Sequence, residues 1–230
     1  MIENGAHVYN GNNVYNFGAA GGGGGGGNGF KDYYIRPRYV ENNNQTIIVD
    51  SDKLYQKQNN GSMFGFGATN FEQTFSDINI LEVSLHATIR DKYPTRSHGE
   101  TWIMGGDYNP NTDSSTYATF SMFVRKNSAD DFLRTGFGNG YINRIDNPNI
   151  YGNESIIKYI FNREERKVYT VINGTVYSND VSLSDVSPSQ KIYVGYGVKS
   201  FDQAFINNTI IYSKGTYIKL NGSLVWGEEE

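Results

Sequence analysis

Ile157-Lys158-Tyr159-Ile160-Phe161, a polar stretch at 162–166, Lys167-Val168-Tyr169-Thr170-Val171-Ile172, then Asn173-Gly174 and Thr175-Val176-Tyr177 form one continuous run, and its reading decides the fold. Apolar and polar side chains alternate through each segment, so each is a strand with one face in a core. Asn-Gly between alternating strands is a strong hairpin signal, because a type I′ turn needs positive φ at both central residues. The device recurs near the C-terminus, where Asn221-Gly222 separates Thr216-Tyr217-Ile218-Lys219-Leu220 from Ser223-Leu224-Val225-Trp226. Between the two hairpins lie further strands at 191–194 and 209–212.

Working towards the N-terminus, the pattern persists. Thr46-Ile47-Ile48-Val49 is a short apolar strand, and Thr101-Trp102-Ile103-Met104 is another that ends at Gly105-Gly106. Phe120, Met122 and Val124 alternate with Ser121, Phe123 and Arg125. Ile78, Ile80, Val83, Leu85, Ala87 and Ile89 make a longer stretch whose alternation slips at Leu81, which predicts a bulge there. Gly136-Phe137-Gly138-Asn139-Gly140 has neither the lysine nor the following helix of a phosphate loop, so it is read as a bend or bulge. Helical spacing is sustained nowhere. The chain is predicted to be all-β.

Composition narrows the function. With 24 acidic against 20 basic residues, a net charge of −4, the chain has no basic field to hold a phosphate backbone, and nucleic acid is not expected as a partner. No cysteine is present, which excludes disulfides and thiolate metal sites. Met1-Ile2-Glu3-Asn4-Gly5 lacks the basic flank and apolar stretch of a secretory signal, and no later segment is apolar enough to span a bilayer, so manufacture in a cytoplasm is expected. Asn-x-Ser/Thr triplets such as those at Asn153 and Asn173 are accordingly read as turns. Glu228-Glu229-Glu230 reads as a solvated tail without a role.

The first 29 residues are organised differently. Residues 1–17 contain the echo Val8-Tyr9-Asn10 and Val14-Tyr15-Asn16, too short to fold alone. Val8, Tyr9, Val14 and Tyr15 are candidate anchoring residues, since an alternating peptide of this kind can add as a strand to another subunit's sheet edge; a plain leader is the alternative. Residues 18–29 hold seven consecutive glycines, Gly21 to Gly27, which read as a tether or, if several chains pack their glycines, as an oligomerisation device. Residues 30–227 form the predicted sandwich domain and 228–230 the acidic tail.

The order of strand, charged turn, strand ending Val171-Ile172-Asn173-Gly174, polar loop, Ile192-Tyr193-Val194-Gly195 and Ile210-Ile211-Tyr212 resembles concanavalin-A-like lectin and laminin-G-like domains. The resemblance covers roughly 157–212. It implies a jelly roll, an antiparallel β-sandwich of two sheets. The short N-terminal peptide, glycine tract and absence of cysteine together resemble a bacteriophage virion protein: a tail fibre, receptor-binding protein or head fibre. That likeness implies a virion-surface location, attachment to other virion proteins through the N-terminal peptide, a homo-oligomer, and a lectin-like domain displayed for recognition of host-surface glycan.

An enzyme needs a positioned base, nucleophile or metal. His7, His86 and His98 are scattered, no E-x-D-x-x-E-like pairing of carboxylates runs along a strand, and Glu82, Glu164 and Glu165 read as solvated carboxylates. A non-enzymatic protein is expected. Asp107-Tyr108-Asn109-Pro110-Asn111-Thr112-Asp113 places oxygen-bearing side chains at every second residue, so Asp107, Asn109, Asn111 and Asp113 are candidate Ca²⁺ ligands, against the alternative of a polar turn. The EF-hand pattern fails there, with Thr112 in place of glycine and Ala118 in place of the bidentate acid. Trp102, Tyr108 and Tyr117 bracket the cluster, and a flat ring beside Asp107, Asn109 and Asn111 suits a sugar, offering an apolar face to C–H groups and acceptors to hydroxyls. Glycan recognition is therefore the leading expectation. A structural protein that binds only other virion proteins is the competitor, and a carbohydrate-active enzyme the third reading.

Overall fold

The computed structural model describes the backbone at 2–3, 6–7, 32–37, 45–49, 53–58, 63–88, 99–106, 120–126, 131–138, 140–150, 152–200, 208–212 and 214–230. Side chains are described at 71–88, 120–122, 132–138, 140–150, 152–192, 194, 211–212 and 214–230. In chain order the strands are β1 (Ile2–Glu3), β2 (Ala6–His7), β3 (Asp32–Pro37), β4 (Gln45–Val49), β5 (Lys53–Gln58), β6 (Met63–Thr74), β7 (Ile80–Thr88), β8 (Gly99–Gly106) and β9 (Phe120–Lys126). They continue with β10 (Asp131–Phe137), β11 (Gly140–Asp146), β12 (Glu154–Asn162), β13 (Lys167–Ile172), β14 (Thr175–Asp180), β15 (Lys191–Ser200), β16 (Asn208–Tyr212), β17 (Tyr217–Leu220) and β18 (Ser223–Gly227). Among the described residues the helical content is two 3-10 turns, Phe75–Asp77 and Leu183–Asp185.

Two antiparallel sheets form an all-β sandwich. One has seven strands in the order β11-β10-β9-β8-β15-β6-β3; the other has nine, with the path β14-β13-β12-β7-β16-β5-β4 and the β17–β18 hairpin also set against β7. The decisive run of sequence is β12, β13 and β14, paired in an unbroken register from Ile157↔Ile172 to Asn162↔Lys167 and from Lys167↔Asp180 to Ile172↔Thr175. Both Asn-Gly turns have positive φ at both positions, 47° and 84° at Asn173 and Gly174, 51° and 85° at Asn221 and Gly222. The asparagines do more than tolerate the turn. Asn173 Oδ1 accepts the Ile156 N–H at 2.9 Å, while Asn221 Oδ1 accepts the N–H groups of Asn79 and Ile80, both at 2.9 Å, so each turn is stapled to the start of a neighbouring strand.

The core fills the space between the sheets. Phe75, Phe120, Phe137 and Phe161 form its aromatic centre, with Phe137 stacked on Phe161 at 5.4 Å and edge-on to Phe120 at 5.4 Å. Burying each such side chain contributes about 1.5–3 kcal/mol. Two polar contacts tie the sheets across this apolar layer: Thr135 and Thr170 share a hydroxyl hydrogen bond at 2.7 Å, and the Tyr159 hydroxyl donates to the Gly136 carbonyl at 3.1 Å. Burial pushes the Tyr159 phenol well above its ordinary value of 10.0.

Three expectations change. Leu81 carries no bulge, because β7 pairs with β12 in a single register from Glu154↔Thr88 to Asn162↔Ile80, with Leu81, Val83, Leu85 and Ala87 buried; Ile80 is the residue that breaks the apolar pattern, facing solvent. The irregularity lies on the other edge of β7, where Ile211↔Ala87 and Tyr217↔Ser84 leave extra residues in the chain between β16 and β17. The C-terminal glutamates are not a loose tail either. The Glu228 carbonyl accepts the Gly215 N–H at 2.8 Å, and Glu229 pairs with Lys219 at 2.6 Å. Nor is Glu82 merely solvated, as the next section describes.

Candidate functional site

A binding site has three places to be in a sandwich: between the sheets, on either outer face, or in the end loops. Among the described residues, the space between the sheets holds a cavity of about 10 Å³ lined by Leu81, Val83, Phe120, Met122, Tyr159 and Val194, with room for about one water.

Among the described residues, the polar groups around β7 on the outer face of the nine-stranded sheet bond to one another. Tyr217 donates to Glu82 Oε1 at 2.6 Å and accepts from Lys158 Nζ at 2.9 Å, and Lys158 lies 3.6 Å from Glu82. Burial and the bond to Glu82 raise the Tyr217 phenol, and although burial alone would lower Lys158, its bonds to Tyr217 and Glu82 hold the ammonium above its ordinary value. Farther along β7, His86 closes the irregularity between β16 and β17. Its Nδ1 donates to the Lys214 carbonyl at 2.7 Å, Nε2 lies 2.8 Å from Glu154 Oε1, and the ring packs on Tyr212 at 4.7 Å. Ser84 donates to the Gly215 carbonyl at 2.7 Å and Thr216 Oγ1 accepts the His86 N–H at 3.0 Å. Gly215 has φ +85°, and a Cβ there would come 3.0 Å from the imidazole, so glycine lets the ring sit under the turn. The cluster is a staple holding two strands to one edge.

The outer face of the seven-stranded sheet is built otherwise. Leu133, Thr135 and Phe137 of β10 are buried towards the core, so Phe132, Arg134 and Gly136 belong to the opposite face. Phe132 is nonetheless only 1% exposed. Two guanidinium groups cover it, Arg134 at 4.7 Å and Arg144 at 4.3 Å from the ring centre, and Arg134 also lies 5.0 Å from the Tyr141 ring. Arg144 Nε donates to Asp146 at 2.6 Å. The turn beside this patch is the Gly136–Gly140 bend, with a register shift after Thr135 and Gly138 at φ +62°. Tyr141, just beyond that turn, is 45% exposed: a flat ring open to solvent beside a cation.

Register carries the patch across the sheet. Arg134 pairs with Arg144 on one side and Phe123 on the other; Phe123 pairs with Trp102, Trp102 with Gly197, Gly197 with Phe66, and Phe66 with Tyr34. Aromatic and basic residues thus recur along one row at right angles to the strands.

No protein-family model matches the chain, and no curated protein matches it in sequence. Solved structures do match. The lectin UEA-II of Ulex europaeus, in a complex with galactose, superposes with a TM-score of 0.55 at 9% identity over 78% of this chain and 95% of that one. The fold resembles that of the legume lectins. A legume lectin-like domain from Entamoeba histolytica matches with a TM-score of 0.55 at 11% identity, covering 83% of this chain and 90% of its own. The VIP36 exoplasmic/lumenal domain, bound to Ca²⁺ and Man3GlcNAc, matches with a TM-score of 0.53 at 6% identity over 78% and 82%.

On this lectin fold, Trp102 falls at the middle of the aromatic row, on β8, through the backbone register described above. Asp107, Tyr108, Asn109, Asn111, Asp113 and Tyr117 lie outside the described residues, in the segment that joins β8 to β9. Val8, Tyr9, Val14 and Tyr15 lie outside them as well. Among the described residues, no group of three or more His, Asp or Glu stands close enough to hold a metal ion. The candidate face adds Arg134, Tyr141 and Arg144, which no sequence motif singled out. They are separated along the chain and meet only when β10 and β11 fold back on each other.

Proposed function

We propose that this chain is a non-enzymatic, lectin-like module that takes saccharide on the outer face of its seven-stranded sheet. The observation that carries the reading is the half-exposed Tyr141 ring beside Arg134, whose own row runs in register through Phe123 to Trp102. An exposed ring offers a sugar's C–H face an apolar partner, and charged donors beside it supply directional hydrogen bonds to hydroxyls. The same fold serves in UEA-II crystallised with galactose and in VIP36 bound to Man3GlcNAc, which supports saccharide as the ligand class. Binding of the full-length chain to an array of immobilised glycans tests it. Tyr141→Ala and Trp102→Ala should each weaken capture by about two- to tenfold, in line with about 0.5–1.5 kcal/mol for a lost aromatic contact. A folded wild-type chain that captures no saccharide overturns the reading and favours a protein-only scaffold.

The setting proposed for this module is a virion surface, where residues 1–17 anchor it and Gly21 to Gly27 tether the sandwich. The support is organisational: a peptide too short for a core, then a run of residues with no side chain to bury. Deleting 1–17 should abolish incorporation into particles while leaving glycan capture intact. Unchanged incorporation rules the anchor out.

A further inference from the structure

We infer that the saccharide taken by the seven-stranded face is acidic, carrying a carboxylate that docks between Arg134 and Arg144. The inference rests on the reading of that face as a glycan site and names the class of glycan. Arg134 and Arg144 are directly opposite one another in the β10–β11 register. Like charges in that position oppose folding, and natural sheets place opposite charges there instead. Here both guanidinium groups are also drawn onto the same ring, within 5 Å of the Phe132 centre, so each has one face turned away from water.

The site is local. On the row next to this pair, Phe132 aligns with Arg125, so a third arginine stands at the adjoining register position; beyond it Arg125↔Glu100 and Glu100↔Lys199 alternate in sign. The like-charged step is confined to the β10–β11 margin, beside the exposed Tyr141. It occurs in a chain whose net charge is −4, where chance would favour acidic neighbours. Asp146 neutralises part of the Arg144 charge, and both guanidinium groups rest on rings, Arg134 on Phe132 and Tyr141 and Arg144 on Phe132. Planar guanidinium groups held in this way present paired N–H donors that match the two oxygens of a carboxylate, while the Tyr141 ring takes the sugar's apolar face.

The test uses the full chain and uronate- and sialate-terminated oligosaccharides, each paired with its own methyl ester, which removes the charge and keeps the sugar. The acids should bind at least about tenfold more tightly than their esters, as expected when a charge-assisted hydrogen bond is lost, and the difference should shrink as salt is raised. Arg134→Met and Arg144→Met keep an apolar stem over Phe132, so the fold survives; each should remove most of the preference for acid over ester. Arg134→Lys retains charge without the planar fork and should restore only part of it. Equal binding of acids and esters overturns the acidic-ligand inference and leaves the glycan site standing. Binding of neither member of any pair by the folded chain overturns both, and capture of acidic peptides in preference to acidic sugars replaces the ligand class.

Discussion

The two outer faces of this sandwich solve the problem of surface charge in opposite ways. On the nine-stranded sheet, Glu82 stands opposite Lys219 in register and within reach of Lys158, with Tyr217 bonded between Glu82 and Lys158. On the seven-stranded sheet the corresponding cross-strand neighbours are Arg134 and Arg144, two cations. One face spends its polar groups on itself. The other sets like charges opposite one another in register beside an exposed aromatic ring, a pairing that cross-strand electrostatics disfavours. On the proposed reading, stability and recognition are divided between two sheets that share a single core.

The largest effect should come from breaking the self-satisfied face. Glu82→Ala removes the carboxylate that accepts from the buried Tyr217 hydroxyl and faces Lys158, and should cost about 1–3 kcal/mol, read as a lower denaturant midpoint at unchanged slope. Glycan capture by the folded variant should not change. A comparable loss of binding would mean that the two faces are coupled through the core.

Next comes the staple on the same sheet. His86→Ala removes the bond to the Lys214 carbonyl and the ring that packs on Tyr212, and should cost about 1–2 kcal/mol. Hydrogen exchange should localise the damage, with the amides of β17 and Gly215 losing protection before those of β10 and β11.

The internal bonding of the nine-stranded face also sets an alkaline limit. Tyr217, Tyr159 and Lys158 are all raised in the folded chain, so an unfolded chain gives up these protons first, near 10.0 for the phenols and 10.5 for the amine. Their contribution is fully present below pH 10 and is lost as pH rises through the raised folded values. Unfolding monitored against pH should therefore be flat through neutrality and fall above pH 10, and Tyr217→Phe should make that fall shallower. An alkaline limb that Tyr217→Phe leaves unchanged would remove Tyr217 from the account.

Much of the nine-stranded sheet was legible in the sequence, because its signals are local. Asn173-Gly174 and Asn221-Gly222 specify their turns within two residues, and β12 and β13 alternate without interruption. The apparent slip at Leu81 misled for a physical reason: Ile80 is apolar yet exposed at the start of β7, where Asn221 accepts its N–H, so hydropathy alone misplaces the inward-facing set by one residue. The candidate site was far less visible. Phe132 and Leu133 are adjacent and both buried, one beneath arginines and one in the core, which erases the alternation that separates the two faces of β10. Arg134 and Arg144 become neighbours only through a register shifted by the Gly136–Gly140 bend, and no spacing rule predicts the shift. Trp102 could be singled out because tryptophan is rare in this chain, with two in all, but its place in the row depends on pairing with strands distant in sequence.

The smallest expected effect is the sharpest test of the division. Arg134→Glu converts the like-charged pair into an opposite-charged one, giving the seven-stranded face the pattern already present at Glu82 and Lys219. Cross-strand pairs of opposite charge contribute roughly 0.2–1 kcal/mol relative to neutral ones, so the variant should be as stable as the parent or slightly more so. Part of that gain is offset because a glutamate covers Phe132 less fully than an arginine does. Capture of carboxylated saccharide should fall by far more than stability changes, since the new carboxylate occupies the place proposed for the ligand's own. A variant that is clearly destabilised would show that Arg134 serves the fold first, and the contrast between the two faces would then reduce to a difference in composition.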